Sequence, residues 1–412
     1  MELKINYEYT YFIYPFAVKQ SNYKKYIINL IKDKKYILKF FDTFKNIDLY
    51  NYFTPNIRKN IFQDFTFTKE KLNAFSRISN SNKYKIILEQ DCIMFEYKLE
   101  DDLPGKINEK DGIFFKIVNI ELVCFKTGIC FLLIKTNLEE TDRFSDLLNF
   151  NYKFANINLE NKNLKKIDKI KIQTNTFDNM EEITQIIENV TGKRINAKEF
   201  DIDDNTFLTY SYVCIDSNNW NKEVDFENIE NEFLKLSTIS PSSTNLNIDY
   251  DKLNIISNSI YMKLRINNKG SFAICSSTDV NNYTKLPSLY ENQYLYTYLI
   301  AIHQRYYLKL LSKEYDKRYS KLVSEKFINF TKKIWVNEVT TEDLGQKIYK
   351  RCKEKLNLNE LYQEVKSKYD IYYKQEKINK NIKQNKIIAL LITLSVIFGM
   401  ANLVSWIFVY SI

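Results

Sequence analysis

The sequence predicts an α+β cytosolic domain (a mixed sheet with helices), then a long-helix stalk and one C-terminal transmembrane helix. Three observations predict this. Residues 1–285 mix apolar, Ile- and Tyr-rich runs with turn signals, as a strand-and-helix domain does. Pro287 is the last proline, and only Gly345 and Gly399 interrupt the 125 residues that follow it. From Ile387 to Ile412 there is no charged side chain. As a helix at ~1.5 Å per residue, that run is roughly 39 Å long, more than the ~30 Å of a bilayer's hydrocarbon core.

In chain order, the opening Met1–Asn6 has no signal-peptide pattern, and the apolar stretch Tyr11 to Val18 is short and broken by Pro15. Lys83 to Leu99 is rich in Ile, Phe and Tyr and free of Pro and Gly. Gly112 to Leu138 reads as two or three strands, with a hairpin turn at Lys126-Thr127-Gly128. Met180 to Val190 has helical spacing, with Ile183, Ile186 and Ile187 on one face and a stop at Gly192. Phe207 to Ile215 reads as a strand. Ile260 to Ile266 and Ser271 to Ser276 flank a second hairpin signal at Asn267–Gly270, and Ser237 to Asn247, around Pro241, reads as a loop or linker.

Helix follows Pro287. Tyr290 to Tyr315 and Asp316 to Val339 read as two helices. Thr340 and Thr341 cap a third through Lys355, with Glu342 and Asp343 in its first turn. Asn359 is placed to cap the last helix, which meets no breaker from Glu360 to Gly399 and should run for roughly 50 residues. Leu361, Val365 and Tyr372, then Ile371, Ile378 and Ile382, form a seam for neighbouring helices. The divisions are 1–285 for the cytosolic domain, 286–386 for the stalk and 387–412 for the span.

Charge sets the surroundings. Net charge is +9, and residues 288–412 carry 21 Lys+Arg against 12 Asp+Glu, so all of the excess lies there. Lys374, Lys377, Lys380, Lys383 and Lys386 stand just before the apolar run. Next to a span, such a ladder suits anionic lipid, at ~1 kcal/mol per basic residue, better than nucleic acid. The positive-inside rule then gives a single-pass protein of the cell (inner) membrane with a cytoplasmic N-terminus, and Trp406 and Tyr410 sit where the far aromatic belt belongs.

No enzyme motif is present: no GxSxG, Walker A, HExxH or GxGxxG. Six cysteines without Cys-x-x-Cys spacing and one histidine give no zinc site of the usual kind, and no metal ligands are assigned. That histidine, His303, lies with Gln304 and Arg305 on a predicted helix, where a polar contact between helices is expected rather than catalysis. Within the span, Ser395, Gly399 and Asn402 share one face, beside Met400. Ser395-x-x-x-Gly399 lets helices approach closely, and Asn402 needs protein or water to face. The face either packs helices in a homo-oligomer or lines a pore.

The stretch Gln384-Asn-Lys386, the apolar run and Gly399-Met-Ala-Asn402, together with Tyr290–Tyr306 ahead of the stalk, resembles the CorA-like magnesium transporters over about the last 125 residues. In this sequence Ala401 intervenes in the family's Gly-Met-Asn motif. The resemblance implies a homo-oligomeric ion-conducting protein gated by its cytosolic domain, with Mg²⁺ as a transported or regulatory ion. Divergent members occur as membrane effectors beside type III CRISPR defence, which implies a nucleotide second messenger as the signal. The other expectation is a tail-anchored binding protein without transport activity.

Overall fold

The computed structural model describes residues 2–41, 46–62, 69–99, 103–107, 113–156, 171–172, 181–193, 207–246, 254–317 and 321–410. In order, the elements are β1 (Ile5–Ala17), α1 (Gln20–Lys32), β2 (Tyr36–Leu38), α2 (Ile47–Tyr52), α3 (Pro55–Ile61), α4 (Lys69–Arg77), α5 (Asn80–Glu89), β3 (Cys92–Tyr97), β4 (Leu103–Ile107), β5 (Ile113–Phe125) and β6 (Ile129–Glu139). Then come α6 (Phe144–Ala155), β7 (Lys171–Ile172), β8 (Glu181–Glu182), α7 (Ile183–Thr191), β9 (Leu208–Ile215), α8 (Phe226–Thr238), β10 (Ile256–Ser259), β11 (Met262–Asn267) and β12 (Gly270–Ser276). The helical part holds α9 (Asn281–Thr284), α10 (Leu286–Leu289), α11 (Leu295–Lys317), α12 (Lys321–Lys333), α13 (Asp343–Lys355) and α14 (Leu358–Tyr410).

The chain forms two compact units. The first, Met1–Tyr307 with Lys333–Asn359, is built on a sheet in the order β10-β11-β12-β9-β1-β6-β5-β3-β2, with β4 added on β5. All pairs in it are antiparallel except β9 with β12. One face carries the apolar core: Phe12, Leu122, Leu132, Val213 and Phe272 pack with Ile27 of α1, Phe154 of α6, Ile186 of α7 and Phe233 of α8. The alternate residues Tyr9, Tyr11, Tyr210 and Tyr212 turn to the opposite face, as a period of two requires. The second unit, Leu308–Lys332 with Glu360–Ile412, joins the end of α11, α12 and α14.

Several expected elements form as read. β5 and β6 meet at Lys126–Gly128, where Gly128 has φ +90 and a Cβ would lie 2.4 Å from the Val18 carbonyl oxygen. Ile183, Ile186 and Ile187 of α7 are buried, and Gly192 follows at φ 62. Met180 lies outside the described residues. β11 and β12 form the second hairpin.

Others differ. Lys83–Leu99 divides into α5 and β3. The helix expected through Val339 ends at Lys333, because the chain leaves it to pair with the first unit: Val339 O accepts from Thr54 N–H (2.9 Å) and Thr340 bridges Phe53. Residues 318–320 lie outside the described residues. Glu342, not a threonine, is the N-cap of α13, although Thr340 Oγ1 accepts from its N–H. Asn359 lies inside α14, which starts one residue earlier, after Asn357 at φ 53. Ser237 and Thr238 belong to α8, and the loop beyond is tied down by Asn149 Oδ1, which accepts from the N–H and hydroxyl of Ser242 (3.0 Å each). Asn247 lies outside the described residues.

The central strand β1 was hidden by Pro15. Pairing with β9 ends at Ile13↔Leu208, so at Pro15 the strand is paired with β6 alone and the missing N–H breaks no bond to β9.

Candidate functional site

α14 is one unbroken helix of 53 residues, about 80 Å at the usual rise. Its first turns are held within the second unit. Val365 is fully buried, and Phe327 of α12 packs on Tyr362 and Tyr369 with centroids 5.6 and 5.5 Å away. Lys368 Nζ reaches Asp316 (2.6 Å), Glu364 (3.1 Å) and the Ser312 hydroxyl (2.7 Å), and that hydroxyl donates to Glu364 (2.5 Å). The Ser312 bond, chiefly, and Lys368 hold the Glu364 carboxyl below its usual range.

Beyond this bundle the helix is exposed. The Lys374–Lys386 ladder lies open, and among its members Lys380 pairs with Glu376 (3.1 Å, i,i+4). From Ile387 to Ile407 every side chain is exposed, and the helix is long and apolar enough to cross a membrane. A buried helix of a soluble core would look different, because its apolar side chains would be covered. Ser395, Gly399, Met400 and Asn402 all lie on this exposed stretch. A Cβ built on Gly399 meets nothing within 4 Å. Three hydroxyls in this stretch are spent on their own helix: Thr393 on Ala389 O (2.9 Å), Ser395 on Ile392 O (2.8 Å) and Ser405 on Ala401 O (2.9 Å). The Asn402 amide carries two N–H donors and an oxygen acceptor, more than one carbonyl of its own helix can satisfy.

His303, Gln304 and Arg305 lie on α11 within the first unit. The His303 ring stacks on Phe125 (centroids 3.8 Å, 7° between planes), and its Nε2 is 2.9 Å from Thr127 Oγ1. Burial pushes its pKa down to about 3, so it is neutral at physiological pH. Gln304 Nε2 donates to Ile334 O (2.9 Å), and its Oε1 accepts from Tyr349 (3.0 Å). Arg305 Nε is buried without a hydrogen-bond partner among the described residues. Beside His303 lies a crevice of about 60 Å³, walled by Ile57, Ile61, Phe125, Ile300 and Ile334.

Long-range charge pairs on the tyrosine face of the sheet are not legible in the sequence. Glu291 Oε1 accepts from Tyr11 (2.5 Å) and Lys135 (2.6 Å), and Lys135 Nζ lies 4.9 Å from the Tyr9 ring centre. Glu291 stands in a π-helical turn, Tyr290–Tyr294, before α11; such turns recur at functional sites. Phenols anchor this approach to α11: Tyr9 donates to Pro287 O (2.8 Å), Tyr210 to Tyr290 O (2.7 Å) and Tyr212 to Asn282 O (2.5 Å). The available signal was the alternation Tyr7-x-Tyr9-x-Tyr11 and Tyr210-x-Tyr212, but partners some 280 residues away in sequence leave no local pattern. On β1, burial pushes the Glu8 carboxyl up to about 7; one oxygen accepts from Leu138 N–H (2.5 Å), and the other has no partner among the described residues.

A larger groove, about 360 Å³, runs along α13 past Gln346, Lys350 and Lys353. Lys353 Nζ sits 4.6 Å from the Trp335 ring centre and donates to Val336 O. No group of three His, Cys, Asp or Glu suited to a metal occurs among the described residues. All six cysteines are buried, and none is in a disulfide. No protein-family model and no curated protein sequence matches this chain.

Proposed function

We propose that the protein is a homo-oligomeric, ion-conducting membrane protein, with α14 of each copy contributing to the conducting bundle and the N-terminal α/β unit gating it. The observation that carries this reading is the single helix running from the folded part of the chain into an exposed, charge-free stretch that bears Ser395, Gly399 and Asn402. At ~100° per residue these three lie within about 60° of one another, and an unpaired amide in lipid costs several kcal/mol. A neighbouring copy or a water-filled path answers that cost for Asn402. The exposed lysines favour the cytoplasmic side of the cell membrane, facing anionic lipid. Mg²⁺ as the ion, a nucleotide second messenger as the signal and a role in antiviral defence rest on the CorA-like resemblance of Gln384–Asn402.

Ion flux from the purified full-length protein in liposomes tests this, with Mg²⁺, K⁺ and Na⁺ and with cyclic oligonucleotides added in turn. Flux that Asn402→Leu abolishes while membrane insertion persists supports the reading, because an apolar ring favours dewetting of a narrow path. A second reading, a tail-anchored binding protein, is favoured by the hydroxyls of Thr393, Ser395 and Ser405, which bond to their own helix and ask for no partner. Silence under every ion and nucleotide, with insertion intact, favours that alternative.

A further inference from the structure

From Lys374 onward, the charges of α14 leave one side of it bare. Lys374, Lys377, Lys380, Lys383 and Lys386 are each three residues apart, so successive lysines stand about 60° apart around the axis. Together they sweep about two thirds of the circumference and leave one sector of about 120° without any of them. Ile371, Ile378 and Ile382 fall within about 20° of the middle of that sector, and Ala389 continues the line into the charge-free run. Gln375 and Asn385, which flank the line, are uncharged. Glu376 lies on the far side, paired with Lys380 (3.1 Å). The three isoleucines are 48, 57 and 47% exposed.

We infer that this isoleucine line is the face on which a second copy of the chain docks, parallel and at the same height; the inference rests on the oligomeric reading proposed above and names its contact. The choice of a copy follows from charge and orientation. Spans that enter one membrane from one side hold their isoleucine lines level with one another. Apposing those lines turns the lysines of every copy outward, to water and anionic headgroups. Pairing the same helices through their lysine-bearing faces sets lysine against lysine, and pairing unlike faces sets the isoleucine line against charge. Lipid is a poor occupant, since the line lies within the lysine ladder, before the charge-free run begins. The line also has a route into the membrane: Ile371, Ile378, Asn385, Ile392 and Gly399 recur every seven residues, so a left-handed supercoil at ~3.5 residues per turn carries the contact on to Gly399.

The test is oxidative cross-linking of the full-length protein in vesicles of anionic and zwitterionic lipid, with its mass in mild detergent measured in parallel. The native cysteines are all buried, so an added one reports alone. Ile378→Cys and Ile382→Cys should join copies about tenfold faster than Lys377→Cys and Lys380→Cys, because a disulfide needs Cβ atoms about 4 Å apart. These positions are exposed in the chain, so the substitutions leave its folding intact. Ile378→Lys should reduce the assembled mass. An oligomer that cross-links equally well, or better, through the lysine positions overturns the proposed face and leaves the oligomeric reading standing. A monomer by mass that cross-links nowhere overturns both. An oligomer in which Ile378→Cys reacts freely with a lipid-soluble thiol reagent but not with a copy assigns the line to lipid and overturns the inference.

Discussion

Replacing Tyr212 by Phe removes one oxygen from a fully buried site and leaves the ring in place. The loss can be worked from its partners. Asn282 O accepts from the Tyr212 phenol at 2.5 Å, and its other donor is the weak Cys275 thiol at 3.7 Å. That thiol's one hydrogen is shared among the phenol oxygen (3.1 Å), Val213 O (3.4 Å) and Asn282 O, so the substitution leaves the Asn282 carbonyl with only this weak, distant donor. Burial pushes the phenol's pKa far above its ordinary value, so it is a donor at every accessible pH. A buried carbonyl left in this state costs about 1–3 kcal/mol. Tyr210→Phe is the matched comparison. Tyr290 O loses the Tyr210 phenol but keeps Leu295 N–H, so the cost is that of a net hydrogen bond, about 0.5–1.5 kcal/mol. A kcal/mol moves Tm by about 2–4 °C in domains of 150–250 residues and by less in larger ones, so Tyr212→Phe should lower Tm by about 2–5 °C and Tyr210→Phe by less. Thermal unfolding followed by fluorescence reads this, since Trp220 is fully buried in the same unit. Tyr283→Phe, at an exposed position, serves as the neutral control. The reasoning is refuted if Tyr212→Phe behaves like that control, or if Tyr210→Phe proves the more damaging.

Other perturbations probe the remaining features. A tag after Ile412 should be cut by protease added outside intact cells and one before Met1 should not; the opposite pattern reverses the orientation read from the lysines. Gly399→Leu should weaken the assembly seen in mild detergent, and since a side chain there meets nothing in its own chain, an unchanged mass removes Gly399 from any contact between copies. His303 has a folded pKa of about 3 against an ordinary 6.5, so the unfolded state binds the extra proton and stability falls as pH drops through that window. At pH 5 that loss is about 2 kcal/mol, and His303→Gln should show a correspondingly flatter acid slope in urea unfolding. Equal slopes for the two proteins would remove His303 as the cause.

Local chemistry determined much of this protein. A charge-free run of 26 residues from Ile387, the absence of proline after Pro287 and heptad-like apolar spacing define α14 and its stretch long and apolar enough to cross a membrane, because a helix satisfies its own backbone and needs only its neighbours in sequence. The hairpins at Gly128 and Gly270 were legible for the same reason, since a turn is a property of a few adjacent residues. What the sequence left open is long-range. β1 sits between β6 and β9, whose paired residues are more than a hundred positions away, and Pro15 disguised it until its unpaired edge was known. The early stop of α12 depends on a backbone bond from Thr54, and the Tyr11–Lys135–Glu291 cluster joins three distant segments. The tertiary structure also decided how much of α14 is covered: Val365 is fully buried, whereas Ile371, Ile378 and Ile382 are exposed. The physical reason is that burial and pairing belong to the partner surface as much as to the residue, and that surface exists only once the chain has folded.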